Sequence, residues 1–321
     1  MLEAFNNASI LVTGGAGFVG SNLVDFLLAQ GAKVRVLDDL YTGRLEQLPK
    51  HANLDFVQGS VTDEPLIAKL IPDADYVFHL AARNIIVSMK DPRNDFEVNV
   101  GGTLRLLLAA RDAKRLKRIV YTSTSSVYGN PRYLPINEDD ELNVLSPYSV
   151  SKLSAEHYFV SFFESYGVPF TTVRYSNVYG INQSVTNPYC GVVSKFMASA
   201  SKGEPIQIHG DGKQTRDFTF VKDAVEATAM VAVCRRAEGE VFNIGTGIET
   251  SINDLAAKIG EALGRPNAPL AYIDRRDIDN IRRRVVNIEK LRRRVRWVPR
   301  YTLEHGLKAT RDWIATQKHP S

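Results

Sequence analysis

Cysteine is nearly absent: the 321 residues contain two, Cys190 and Cys234. Two thiols so far apart make neither a disulfide framework nor a cysteine-based zinc site, and no metal is expected. Long apolar runs are missing as well. No segment approaches the roughly 18–20 residues of a membrane span. The opening MLEAFNNASILVTGG has neither a basic n-region nor an apolar h-region. These absences predict a cytoplasmic chain without a membrane partner. Charge of one sign is also scarce, since 40 Lys and Arg against 36 Asp and Glu leave a net charge of +4. Internal repeats and low-complexity segments are lacking too.

The basic residues are nevertheless uneven. Arg275, Arg276, Arg282, Arg283, Arg284, Arg292, Arg293, Arg294, Arg296 and Arg300 crowd the C-terminal quarter. Such a run serves an anionic partner or a solvated face. Trp297 is the only aromatic interleaved with it and no nucleic-acid motif accompanies it, so a solvated face is favoured and no nucleic acid is expected.

With 44% hydrophobic and 24% charged residues, the composition is that of an ordinary globular protein. Strand-like and helix-like patterns alternate in the first half. Strands are predicted over 9–13, 33–38, 54–58, 76–80, 118–122 and 170–175, and helices over 20–30, 96–113 and 148–166. That alternation predicts an α/β fold, a doubly wound parallel sheet of the Rossmann type. After residue 178 the pattern loosens into Gly/Pro turns. The expected division is a nucleotide-binding domain over 1–177, rejoined by about 218–245, with 178–321 mainly a smaller substrate-binding lobe.

Thr13-Gly-Gly-Ala-Gly-Phe-Val-Gly20 sets Gly14, Gly17 and Gly20 between the first strand and first helix. Glycines there allow a tight turn, close approach to a pyrophosphate and helix-on-strand packing, while the helix N-terminus offers N–H groups to phosphate. Asp38 ends the next strand, where a carboxylate accepts both adenosine ribose hydroxyls and repels a 2′-phosphate. NAD is therefore favoured over NADP, although Arg44 nearby could accommodate that phosphate. Tyr148 and Lys152 stand four apart at the start of a predicted helix and share a face. Tyrosine, with a pKa of about 10, is a poor base at neutral pH. A neighbouring ammonium and a positive nicotinamide ring would favour its phenolate, which could take a proton as hydride leaves the same carbon.

With these pieces together, the chain resembles the extended short-chain dehydrogenase/reductase family, in its nucleotide-sugar epimerase branch. The resemblance rests on GGAGFVG (14–20), DDLYTGR (38–44), HLAA (79–82), NVGGT (99–103), TSTSSVYG (122–129), SPYSVSK (146–152), RYSNVYG (174–180), HGDGKQTRDF (209–218) and RWVP (296–299). It implies Tyr148 as base, Lys152 as the cation that lowers its pKa and holds the nicotinamide ribose, and Thr124 as the hydroxyl meeting the sugar. It also implies a cofactor pocket of Gly14, Gly17, Phe18, Val19, Gly20, Asp38, Asp39, Thr42, Gly43, Ser60, Val61, Leu80, Ala81, Ala82, Asn99, Thr122, Tyr148, Lys152 and Tyr175. For a nucleotide-diphosphate sugar it implies Thr124, Ser125, Ser126, Tyr148, Asn177, Cys190, Gln207, His209, Arg216 and Arg276. Arg275 and Arg282 are alternatives to Arg276, and Arg284 would face a sugar carboxylate or point away. The chain departs from the family pattern at Ser60, where an Asp is usual. A homodimer through helices 96–113 and 148–166 is implied, with Leu104, Leu107, Leu108, Phe159, Phe162 and Phe163 serving that contact or packing on the sheet.

Similar 4,6-dehydratases carry an Asp-Glu pair, and similar decarboxylases a Glu, where this chain has Ser125 and Ser126. Neither hydroxyl is a useful acid or base near neutral pH. Relatives that epimerise at C3 and C5 need a Cys near that loop, and none is there. Transient oxidation at C4 and return of hydride to the opposite face remains. A 4-ketoreductase or 2-epimerase on the same scaffold is the alternative, and a non-catalytic NAD sensor the remote one.

Overall fold

Runs such as Ile10-Leu11-Val12 are too short for a helix and have no polar face, so they are stable as inner strands of a sheet covered on both sides. The computed structural model, which describes residues 1–183, 191–275 and 281–317, buries all three. Along the chain come β1 (Ser9–Thr13), α1 (Phe18–Ala29), β2 (Lys33–Asp38), β3 (Leu54–Gln58), α2 (Glu64–Leu70) and β4 (Tyr76–His79). Next are α3 (Ile85–Lys90), α4 (Pro92–Asp95), a wide π-helical segment (Phe96–Gly101), α5 (Gly102–Arg111), β5 (Arg118–Thr124), α6 (Pro147–Tyr166) and β6 (Phe170–Tyr175). The remainder gives β7 (Asn177–Tyr179), α7 (Val192–Lys202), β8 (Ile206–His209), β9 (Thr215–Arg216), β10 (Phe218–Phe220), α8 (Val221–Val233) and β11 (Glu240–Ile244). Last are β12 (Thr250–Ser251), α9 (Ile252–Ala262), β13 (Leu270–Ile273), α10 (Glu289–Val295) and α11 (Leu303–Thr316).

Seven strands form one parallel sheet in the order β11-β6-β5-β4-β1-β2-β3. Side chains alternate across it. Ile10 and Val12 join α1 and α8 (Leu23, Leu27, Val225, Ala229) on one face. Leu11 joins α2, α5 and α6 (Ile67, Leu106, Ala155, Phe159) on the other. Strand order reverses between β1 and β4, so a crevice opens at the carboxyl ends of those strands.

The helix predicted over 96–113 is broken up. Asn99 lies in the π-helical segment, and α5 begins only at Gly102. A Cβ on Gly102 would stand 2.5 Å from a Val61 methyl, so the helix approaches its neighbour where glycine permits. Beyond residue 176 the strands are short and pair at long range: β7 with β10, β8 with β13, β9 with β12. Of the residues considered for a dimer contact, Leu107, Phe159 and Phe162 are buried in the sheet-facing core, with Leu104 and Phe163 packed against it. Leu108 alone among them is exposed.

The arginine-rich quarter is tied into the protein by ion pairs: Arg282 to Asp211, Arg283 to Glu249, Arg292 to Glu289, Arg294 to Glu240 and Arg300 to Glu226. Arg284 is buried. Among the described residues, no helix is long and apolar enough to cross a membrane, and no group of three or more His, Cys, Asp or Glu could hold a metal ion.

Candidate active site

The turn after β1 has Gly14 at φ 70°, where L side chains are strained, and a Cβ there would stand 2.7 Å from the Ala81 nitrogen. A Cβ on Gly20 would lie 2.1 Å from the Gly14 carbonyl oxygen, so α1 runs hard against the turn. Gly17 caps α1 without a side-chain hydrogen bond. The first-turn N–H groups and the positive end of the helix dipole are thus available to an anion in the crevice. Asp38, at the end of β2, accepts the Ala16 N–H (2.9 Å) and the Leu40 N–H (2.8 Å). Burial raises its pKa while the two N–H groups oppose that rise. Each of its oxygens keeps a lone pair for an external hydroxyl.

All the residues assigned above to the cofactor, except Gly43 and Asn99, line one cleft over this turn, which also takes in Leu37, Gly59, Arg83, Val98 and Ser123. Ser60 lines it with its hydroxyl engaged in its own turn, 2.8 Å from the Thr62 hydroxyl. Asn99 stands behind the wall. Its side chain accepts the Arg83 N–H (2.7 Å) and donates to the Arg83 carbonyl (3.1 Å) and the Asp95 carboxylate (2.6 Å).

Helix α6 starts sharply because Ser146 and Ser149 form a capping box and Pro147 takes the first helical position. Tyr148 and Lys152 then enter the cleft one turn apart. Burial pushes the Tyr148 phenol up to about 12, Asp95 adds to the rise, and a hydrogen bond with Thr124 opposes it. Burial pulls the Lys152 ammonium down to about 8, against the attraction of Glu156 and Asp95. In the protein alone, desolvation and the buried Asp95 thus hold the Tyr148 phenol above its ordinary value. Lys152 Nζ sits 4.6 Å from the centroid of the Tyr121 ring, a cation–π contact.

Sequence reasoning missed both acids. Asp95 is 2% exposed and accepts the Ser88 hydroxyl (2.5 Å) as well as Asn99. Glu156 is buried against Arg174 (2.6 Å) and accepts the Ser123 hydroxyl. The i, i+4 spacing of Lys152 and Glu156 was a readable signal; nothing local marked Asp95. Next to them His79 is held between hydroxyls, Nδ1 at 2.7 Å from Thr13 and Nε2 at 3.0 Å from Thr103. Thr103 donates its own proton to the Asn99 carbonyl (2.6 Å), so Nε2 must be the His79 donor to it. Burial lowers the His79 pKa to about 3.

Beyond the Tyr–Lys pair, Thr124 ends β5 half-buried, its hydroxyl oxygen accepting the Ser126 N–H (3.1 Å). Ser125 is buried and Ser126 half-buried. Asn177 opens β7, and its N–H bonds the Asp217 carbonyl (2.9 Å). Gln207 is exposed on β8, while His209 ends that strand with Nδ1 at 2.8 Å from the Asp274 carbonyl. Arg216 is buried on β9, donating from Nη1 to the Thr215 and Ile281 carbonyls. Arg282 is held by Asp211 through both nitrogens, at 2.8 and 3.0 Å, and Arg275 is exposed. Cys190 and Arg276 lie outside the described residues.

A doubly wound parallel sheet with a Gly-rich turn at its reversal point, and a Tyr–Lys pair entering the same cleft, defines a nicotinamide-dinucleotide enzyme of the short-chain dehydrogenase/reductase type. The chain belongs, more narrowly, to the NAD dependent epimerase/dehydratase family, which it matches over residues 10–245. It is 39% identical to the UDP-glucose 4-epimerase of Mycolicibacterium smegmatis, over 95% of this chain and 97% of that one. It is 34% identical to the UDP-N-acetyl-alpha-D-glucosaminuronate decarboxylase of Bacillus cytotoxicus, over 95% and 97%. The Thermus thermophilus UDP-glucose 4-epimerase, solved in complex with NAD, superposes with a TM-score of 0.88 at 33% identity, over 96% of this chain and 99% of that one. The cofactor is NAD. The glycine cradle, the uncapped start of α1 and the Asp38 carboxylate fit its pyrophosphate and ribose.

Proposed function

We propose that the protein is a nucleotide-sugar 4-epimerase acting on a UDP-hexose or UDP-hexuronate. The reading is carried by the loop that ends β5. Thr124 ends that strand beside the Tyr148 phenol, whose pKa it lowers, while Ser125 and Ser126 carry hydroxyls where the resemblance puts the carboxylic acids of dehydratases and decarboxylases. NAD, when bound, supplies the hydride acceptor that makes a 4-keto sugar and then the donor that restores the alcohol. Tyr148 takes the proton of the C4 hydroxyl and later gives it back, Thr124 orients that oxygen, and Lys152 holds positive charge beside the phenol. Asn177, Arg216, Gln207 and His209 lie on the second-lobe strands and would hold the nucleotide diphosphate. The functional unit is a homodimer built through α5 and α6.

The test is incubation of the NAD-loaded protein with UDP-, dTDP-, CDP- and GDP-hexoses and hexuronates in D2O, read by NMR. A C4-inverted product without solvent deuterium is expected, with no added reductant consumed. Deuterium at C3 or C5, loss of CO2, or a 6-deoxy product would refute the assignment.

A further inference from the structure

Arg83 lines the cofactor cleft and bridges two of its loops. Its backbone, in the loop after β4, is fixed in both directions by the Asn99 side chain. Its guanidinium reaches the loop after β2, where Nη2 donates to Asp39 Oδ2 at 2.7 Å and Cζ lies 4.0 Å from the centroid of the Tyr41 ring. Asp39 is held for this contact, because its other oxygen accepts the Tyr41 N–H at 3.0 Å. The side chains are 12% exposed for Arg83 and 29% for Asp39, so the pair is partly shielded and screened less than a surface pair. The β2 loop is also anchored to the Gly-rich turn by Arg44 N–H to the Ala16 carbonyl at 2.9 Å. Both Arg83 and Asp39 line the cleft.

We propose that Arg83 and Asp39 form a strap across the NAD site whose opening limits escape of the dinucleotide, keeping it in place between two half-reactions. The inference rests on the NAD site described above. An epimerase needs such retention because its reduced cofactor must stay until hydride is returned. The strap consists of one ion pair and one cation–π contact, so its loss should quicken NAD release by about tenfold.

The full chain, loaded with radiolabelled NAD, is chased with excess unlabelled NAD and the retained label is followed. Arg83→Ala and Asp39→Asn are each expected to exchange about tenfold faster than wild type, and the double variant no faster than either single one, because both break the same bridge. Asn at 39 keeps an oxygen for the Tyr41 N–H, and circular dichroism melting controls for folding. Faster exchange in Arg83→Ala but not in Asp39→Asn would show Arg83 holding a phosphate directly and would overturn the strap. Unchanged exchange in both would overturn it too. A wild-type chain that takes up no NAD would overturn the cofactor site itself, a failure distinct from the other two.

Discussion

Tyr148 is kept protonated by its surroundings: burial carries its pKa to about 12, Asp95 pushes the same way, and the Thr124 hydrogen bond resists. A phenol raised in the folded chain contributes stability that is complete below about pH 10 and lost as the pH climbs toward 12. To act as a base near neutrality it needs positive charge that the protein alone does not supply in sufficient measure. Ultraviolet difference titration of wild type against Tyr148→Phe, both stripped of nucleotide, should show one phenol ionising near pH 12. Added oxidised NAD, whose ring is positive, should move it down. Ionisation near the ordinary value of about 10 would show that burial does not govern this group. Tyr148→Phe should lose about 10²–10⁴-fold in turnover while folding and NAD retention persist. The Tyr–Lys pair was legible because it sits at local helical spacing. Asp95, Arg83 and Glu156 were not recognised: Arg83 meets Asp39 44 residues away and Glu156 meets Arg174 18 residues away, contacts that only the folded sheet makes, and Asp95 acts on Tyr148 and Lys152 of a distant helix.

At the level of elements, the strand–turn–helix unit at the N-terminus is fixed by backbone contact more than by side chains. Gly20 is inside α1, yet its missing Cβ is what lets the helix start against the Gly14 carbonyl. Gly20→Ala would force backbone apart at 2.1 Å, with no flexible side chain to yield. We expect a loss of about 1–3 kcal/mol in stability, as for overpacking elsewhere, with NAD retention weakened in the same variant. Denaturant melts and NAD exchange measure both. Normal stability with normal retention would show that the turn tolerates a methyl group there. The inner strands were readable because apolar runs bounded by turns have few alternatives. The π-helical segment at 96–101 was not: Asn99 within it bonds Arg83 and Ser151 far along the chain, and those contacts leave no periodic signature. Two-residue strands such as β9 and β12 are too short for any period to show.

For the whole molecule, the arginine-rich quarter lends its charge to internal pairs with acids from several elements, among them Asp211, Glu226, Glu240 and Glu249. The fold also leaves some apolar residues uncovered. Leu108 on α5 is 38% exposed, and Val150 and Tyr158 on α6 are 47% and 37% exposed. Val150 and Tyr158 are eight residues apart and therefore share one face of α6, turned away from the Phe159 side that packs on the sheet. Two such helices from two copies would bury these residues in an isologous four-helix contact, where every substitution occurs twice. Sedimentation equilibrium should give a mass twice that of one chain. Val150→Asp with Tyr158→Asp should weaken association at least about a hundredfold, roughly 2.7 kcal/mol, because four buried carboxylates would repel across the two-fold axis. NAD uptake should survive in the separated chains, since the cofactor cleft is lined without the outward face of α6. A wild-type chain that sediments as a monomer would remove the dimer, and a double variant that still dimerises would place the contact on some other face.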